Sequence, residues 1–240
     1  MMPSARSEIP SRERLMLALD VADPTVAREL VEELGDEVSF YKIGLQLFLS
    51  GGYFQLAEWL QQHEKKVFAD LKLFDVPQTV SSAVLQLRGR HISFVTVHGN
   101  DAILEAACEV AEGDPGILAV TALTSLDEAD MEALGFHTDI PSLVLSRARR
   151  AAEIGCAGVI ASGREAALLR EALGDALLIV VPGIRPGTNR IDDQKRTVDV
   201  EEAFEAGADY IVIGRPIRNA PQPAHAARDV QRRIANVFGS

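Results

Sequence analysis

The run Phe68-Ala69-Asp70-Leu71-Lys72-Leu73-Phe74-Asp75-Val76-Pro77 sets two carboxylates and an ammonium into what otherwise reads as a buried strand. Successive side chains on a strand point to opposite faces, so Phe68, Asp70 and Lys72 are expected on one face. Asp75 follows at the strand's exit, and Pro77 suits the first turn of a helix. Taking ionisable groups out of water is costly, and folds keep such clusters most often where chemistry is done. Lys72 could form a Schiff base with a carbonyl substrate. The carboxylates could hold Mg²⁺, but Lys72 lies between them and competes for their charge, so no metal is expected.

Other polar residues recur near the ends of apolar runs: Asp20, Lys42, His98, Thr124 with Ser125, Ser162, Arg185 and Arg215. Each alone has an ordinary explanation. Lys42 could snorkel to the surface, Asp20 or Ser125 could cap a turn or helix, and His98 could be structural. Their shared position is the stronger signal. Gly214-Arg215-Pro216 follows the last apolar run, and a glycine for close backbone approach beside an arginine suits a phosphate group. Arg185 reinforces that reading. The glycine-rich segment matches neither a P-loop nor a dinucleotide fingerprint, so ATP and NAD are not implied.

These residues need a frame that brings strand ends together. Apolar, β-branched runs alternate with helical patterns along the chain, giving strands at 15–20, 39–44, 66–71, 94–98, 117–123, 158–161, 177–181 and 210–213. Each is apolar nearly throughout, as expected of parallel strands buried on both faces. Asp23-Pro24 reads as N-cap and first residue of a helix, and Ser125-Leu126-Asp127-Glu128 has capping-box spacing. Eight βα units over 240 residues fit a (β/α)₈ TIM barrel, one domain spanning 1–240, with a doubly wound open sheet as the alternative. The segment 182–197, rich in Gly, Pro and charge, is expected to be a lid or binding loop.

A net charge of −11 and a pI near 4.9 argue against a nucleic-acid or anionic-membrane surface. The first residues are polar and unlike a secretory signal, and no apolar run is long enough to span a bilayer. Cys108 and Cys156 lack CxxC or metal-ligand spacing, so two buried thiols in a reducing cytoplasm are expected.

The segment 70–79, Asp-Leu-Lys-Leu-Phe-Asp-Val-Pro-Gln-Thr, resembles the Asp-x-Lys-x-x-Asp-Ile-Pro-x-Thr signature of the orotidine 5′-phosphate decarboxylase family, bacterial type. The similarity runs from Leu17-Ala18-Leu19-Asp20 through Tyr41-Lys42-Ile43-Gly44, Val120-Thr121-Ala122-Leu123-Thr124-Ser125 and Val181-Pro182-Gly183-Ile184-Arg185-Pro186 to Asp193-Gln194 and Ile213-Gly214-Arg215-Pro216. It implies a cofactor-free enzyme that turns orotidine 5′-phosphate into UMP and CO₂, the last step of de novo pyrimidine synthesis. Lys72 then matches the proton donor, and Asp70 the carboxylate facing that of the substrate. Lys42 matches the lysine joining Asp70 and the ribose, and Asp20 a ribose-hydroxyl acceptor. Thr124 matches a pyrimidine contact, while Arg185, Gln194, Gly214 and Arg215 match the phosphate grip and lid. Asp75 and Thr79 match residues delivered from a second subunit, which implies a homodimer. Phe74 stands where His is common, Gln78 where Asn is common, and Asn100-Asp101 where a small pair often follows the histidine. None of these departures removes a charge from the set. A Mg²⁺-dependent sugar-phosphate decarboxylase or synthase, a Schiff-base aldolase and a non-enzymatic phosphoribosyl-ligand sensor are the rival readings.

Overall fold

The computed structural model describes residues 8–187 and 197–239. Eight parallel strands close on themselves: β1 (Leu15–Ala18), β2 (Phe40–Gly44), β3 (Lys66–Leu73), β4 (Phe94–His98), β5 (Gly116–Val120), β6 (Gly158–Ile160), β7 (Leu178–Pro182) and β8 (Tyr210–Ile213). The barrel shuts where Leu15, Met16 and Leu17 pair with Ile211, Val212 and Ile213. Closure decides between the two architectures considered, since an open doubly wound sheet would leave two edge strands, whereas here every strand is paired on both sides.

Near-continuous apolar strands acquire two distinct faces in the barrel. Outward, Leu15, Leu17, Tyr41, Ile43, Val67, Ala69, Val95 and Val97 join the core shared with the helices. Inward, Met16, Phe40, Phe68, Leu118, Val180 and Tyr210 fill the barrel itself. Phe40, Phe68, Phe94 and Tyr210 form an aromatic plug there, with Phe94 5.9, 6.5 and 5.7 Å from the rings of Phe40, Phe68 and Tyr210. Helix α1 (Pro24–Leu34) starts where the sequence places it: the Asp23 carboxylate accepts the Thr25 N–H at 2.7 Å, and Pro24 takes the first position. After β2 come two helices, α2 (Leu45–Leu49) and α3 (Tyr53–Gln62), split by Gly51 and Gly52 in left-handed backbone that glycine adopts freely. Helices α4 (Pro77–Leu85) and α5 (Asp101–Ala111) follow β3 and β4.

Ser125 is not a cap. The capping box after β5 lies two residues on, where Asp127 and Asp130 exchange side-chain-to-backbone bonds of 3.0 Å and open α6 (Glu128–Ala133). An aspartate accepts the N3 amide as well as a serine does, and this register leaves Ser125 at the barrel mouth. Helices α7 (Ile140–Ile154) and α8 (Gly163–Leu173) follow. After β7, residues 188–196 of the expected lid lie outside the described residues. The flanks of that segment meet: Ile184 bridges Val198, and the Arg185 N–H donates to the Val198 carbonyl at 3.0 Å. Helices α9 (Val200–Glu205), α10 (Arg215–Arg218) and α11 (Pro223–Phe238) complete the chain. Cys156 is buried and Cys108 half-buried, their sulfurs 3.5 Å apart and not bonded in a disulfide.

Gly158 shows how tightly the barrel wall is drawn. A Cβ there would fall 2.5 Å from the Leu178 carbonyl oxygen and 2.8 Å from the Leu178 Cβ. Backbone cannot yield as a flexible side-chain end can. Gly158→Ala should therefore destabilise the fold by about 1–3 kcal/mol. The check is a lower urea midpoint at unchanged slope; an unmoved midpoint would show that β6 and β7 are looser than this packing implies.

Candidate active site

Lys42, Asp70 and Lys72 come from adjacent strands, and their positions follow from the ladder. Ala18 pairs with Lys42, Lys42 with Phe68, and Gly44 with Asp70, so β1, β2 and β3 reach the barrel mouth in step. Asp20 lies just past β1, where the Leu19 N–H still donates to the Lys42 carbonyl at 2.9 Å. The Lys42 ammonium lies 2.9 Å from Asp20 Oδ1 and 3.3 Å from Asp70 Oδ2. The Lys72 ammonium lies 2.7 Å from Asp70 Oδ1. The four side chains thus alternate in sign: carboxylate, ammonium, carboxylate, ammonium. The inner pair is the drier, with Lys42 and Asp70 side chains 11% and 13% exposed against 47% for Asp20 and 37% for Lys72.

Burial and pairing oppose each other here. For Lys42, burial disfavours the ammonium, yet Asp70 and Asp20 outweigh it and hold its pKa above the ordinary lysine value. For Asp70, burial disfavours the carboxylate, yet Lys42 and Lys72, with hydrogen bonds from Lys72 and Thr96, hold its pKa below the usual carboxylate range.

The strand carrying Lys72 departs from simple alternation. Ala69 pairs with Val95 but Leu73 pairs with Val97, so four steps along β3 answer two along β4. Lys72 sits in this bulge at φ +46°, a left-handed conformation uncommon for a residue with a side chain. Phe68, Asp70 and Lys72 all face the same cavity, as expected, but Lys72 stands there within a bulge and not in regular pleating.

A cavity of about 500 Å³ opens over these groups. Its apolar part is built from Ala18, Phe68, Val120, Ile160 and Val212, the upper layer of the inner core. Its polar part includes Asp20, Lys42, Asp70, Lys72, Thr124, Ser125, Arg185, Gly214 and Arg215. The structure thus gathers most of the sequence-derived set into one space. Asp75 and Thr79 stand apart: both are exposed, and neither lines this cavity among the described residues. Asp75 accepts the Val76 N–H at 2.6 Å. Gln194 lies outside the described residues. His98 does not line the cavity; burial, then Arg147 and Lys72, push its pKa down, and its ring lies 5.2 Å from that of Phe74.

A family model for the orotidine 5′-phosphate decarboxylase / HUMPS family matches residues 13–230. The chain belongs to that family. It is 57% identical over 233 residues to the orotidine 5′-phosphate decarboxylase of Methylococcus capsulatus, covering 97% of this chain and 96% of that protein. It is 46% identical to that of Stenotrophomonas maltophilia, covering 98% and 99%. Among solved structures, orotidine 5′-phosphate decarboxylase from Lactobacillus acidophilus superposes with a TM-score of 0.82 at 31% identity, covering 92% of this chain and 99% of that one.

Two polar residues of the family barrel escaped sequence reading. Thr96, fully buried on β4, donates to Asp70 Oδ1 and accepts the Lys72 N–H, both at 2.9 Å. A threonine inside an apolar run gives no signal of such a contact. Arg218 lines the cavity and donates to the Asp20 carbonyl at 2.5 Å. Its spacing from Arg215, one turn along α10, was a signal available in Gly214-Arg215-Pro216-Ile217-Arg218. Among the described residues, no group of three His, Cys, Asp or Glu side chains is placed to hold a metal ion.

The paired charges make stability depend on acid in a defined direction. Asp70 is held below its ordinary 3.8, so its contribution is complete above that value and is lost as pH falls through the lower folded-state value. Below about pH 4, denaturant-derived stability of the wild type should therefore fall more steeply than that of Asp70→Asn. Parallel curves across that range would show that the carboxylate gains nothing from Lys42 and Lys72.

Proposed function

We propose that this chain decarboxylates orotidine 5′-phosphate to UMP and CO₂, the last step of de novo pyrimidine synthesis, with no metal or organic cofactor. The observation that carries the reading is the Lys72 ammonium, fixed 2.7 Å from Asp70 inside a cavity whose rim bears Arg185 and Arg215. Cleavage of the bond to the carboxylate leaves its electron pair on a ring carbon with little conjugative relief. The Lys72 ammonium is the charge that meets this pair, and its proton forms the new C–H bond as CO₂ departs. Asp70 faces the substrate carboxylate and holds Lys72. Lys42 joins Asp70 to Asp20, which accepts from a ribose hydroxyl, and Thr124 contacts the pyrimidine. Arg185, Gly214 and Arg215 grip the phosphate, and the family resemblance assigns Gln194 to the same group. Binding energy from that remote group serves the reacting centre.

The direct test is the fall in ultraviolet absorbance of orotidine 5′-phosphate with purified protein in excess EDTA. Turnover should persist, because the stabilising charge is a lysine side chain. Activity abolished by chelation and restored by Mg²⁺ would move the assignment to a sugar-phosphate decarboxylase or synthase. The two unbonded thiols fit a reducing cytoplasm, where we place the enzyme.

The reading extends to a homodimer with shared sites. Asp75 and Thr79 lie on the rim beyond β3, outside their own cavity, and Asp75 is flanked by Phe74 and Val76, 68% and 61% exposed. Phe48 and Leu49 on α2, beyond the neighbouring strand, are exposed as well. Apolar side chains around an exposed carboxylate fit a face covered by a second copy, whose cavity Asp75 and Thr79 then enter. Lys72→Ala and Asp75→Asn homodimers should each be nearly inactive. Refolded together in equal amounts, about half the dimers are mixed, and each mixed dimer holds one pocket with both lesions and one with neither, giving roughly a quarter of wild-type activity. No recovery despite proven subunit exchange would return Asp75 to its own barrel.

A further inference from the structure

Thr96 occupies the middle of β4, between Val95 and Val97 of the outer core, so its side chain points into the barrel. It is fully buried, and its single hydroxyl is committed twice. It accepts the backbone N–H of Lys72 at 2.9 Å and donates to Asp70 Oδ1 at 2.9 Å. The same Oδ1 accepts from the Lys72 ammonium at 2.7 Å. A closed loop results: Lys72 backbone, Thr96 hydroxyl, Asp70 carboxylate, Lys72 side chain.

The loop sits where β3 abandons its ladder. Between the Ala69–Val95 and Leu73–Val97 pairs, β3 carries two residues more than β4 can answer. Bulged residues lose regular ladder partners, and a buried N–H left without an acceptor is costly. The Thr96 hydroxyl supplies that acceptor at the residue whose backbone is left-handed. A β-branched side chain has few rotamers, which fixes the direction of its oxygen.

We propose that Thr96 is a positioning residue for decarboxylation: by bonding both the backbone of Lys72 and the carboxylate of Asp70, it holds the bulge that aims the Lys72 ammonium into the cavity. The inference rests on Lys72 being the proton donor. Thr96 touches no substrate atom and acts through those two residues. A hydroxyl present only to satisfy a buried N–H would matter to stability and not to the chemical step.

Thr96→Val keeps the shape and removes both bonds, while Thr96→Ser keeps the hydroxyl. With orotidine 5′-phosphate, Thr96→Val should lose about 10²-fold in kcat, the scale of a displaced catalytic group. Its affinity for UMP should stay within about threefold of wild type, because ribose and phosphate contacts are untouched. Thr96→Ser should remain within about threefold of wild type in both measurements. The acid limb of the kcat–pH profile should move upward for Thr96→Val and not for Thr96→Ser, since Asp70 loses a donor only in the former. If Thr96→Val fails to fold in a thermal melt, Thr96→Ala takes its place with the same expected split. A folded Val or Ala variant with kcat within about threefold of wild type, a Ser variant as impaired as it, or UMP affinity falling as far as kcat would each overturn the role. Lys72→Ala is assayed in parallel. Normal turnover there would remove the proton-donor reading itself, whereas a dead Lys72→Ala beside a fully active Thr96→Val removes only the role of Thr96.

Discussion

Everything at the barrel mouth depends on a row of four charges that none could hold alone. Lys42 is nearly enclosed, and an isolated ammonium there would shed its proton; Asp70, equally enclosed, would take one up. Side by side, 3.3 Å apart, each keeps the other ionised, and the row ends in groups that water still reaches, Asp20 and Lys72. Buried pairs give little net stability, because desolvation consumes most of the Coulomb gain. What the row supplies is placement: an ammonium delivered to one point in a cavity, with its counter-charge already in position.

That placement requires three strands in fixed register, and this explains the division of labour along the barrel axis. The inner core from Met16 and Phe40 to Val180 and Tyr210 is apolar and closely filled. Its upper residues, Ala18, Phe68, Val120, Ile160 and Val212, form part of the cavity. Rigidity generated below is therefore transmitted directly to the groups above, since Lys42 pairs with Phe68 and Gly44 with Asp70 on the same ladders. Sites built on strands hold their geometry better than sites built on loops. Here the charged row belongs mainly to strands, while the proposed phosphate contacts sit on the connections after β7 and β8.

The barrel was legible because its signals are strong ones: eight apolar runs at regular spacing, and caps such as Asp23-Pro24 that act locally. The charged set was legible because ionisable residues inside apolar runs are conspicuous. The bulge at Lys72 was not. Nothing in Leu71-Lys72-Leu73 signals a left-handed residue, and the group that meets its N–H lies on another strand, the hydroxyl of Thr96. The cap at Asp127 was displaced for a related reason: Ser125 and Asp127 are both good caps, and where the chain leaves β5 decides between them. Local chemistry is written in the sequence one residue at a time, whereas register between strands is a property of pairs.

The balance between global and local charge completes the physical account of ligand binding. A chain of net charge −11 repels a phosphorylated substrate at long range. At physiological ionic strength exposed charges are screened beyond about 8 Å, so most of the surface carboxylates cease to matter once the ligand reaches the mouth. There the field belongs to what lines the cavity: Arg185, Arg215 and Arg218 on one side, and the paired row on the other. The row adds almost no net charge, because its two ammonium groups offset its two carboxylates. On the proposed reading it is the arginines that decide which end of an anionic ligand enters where. In that reading a dianionic phosphate is drawn toward α10, and the uncharged ribose and pyrimidine fall across Asp20, Lys42 and Thr124. On that same proposal the substrate carboxylate is left facing Asp70, with the Lys72 ammonium 2.7 Å from Asp70 to meet the charge that forms as it leaves.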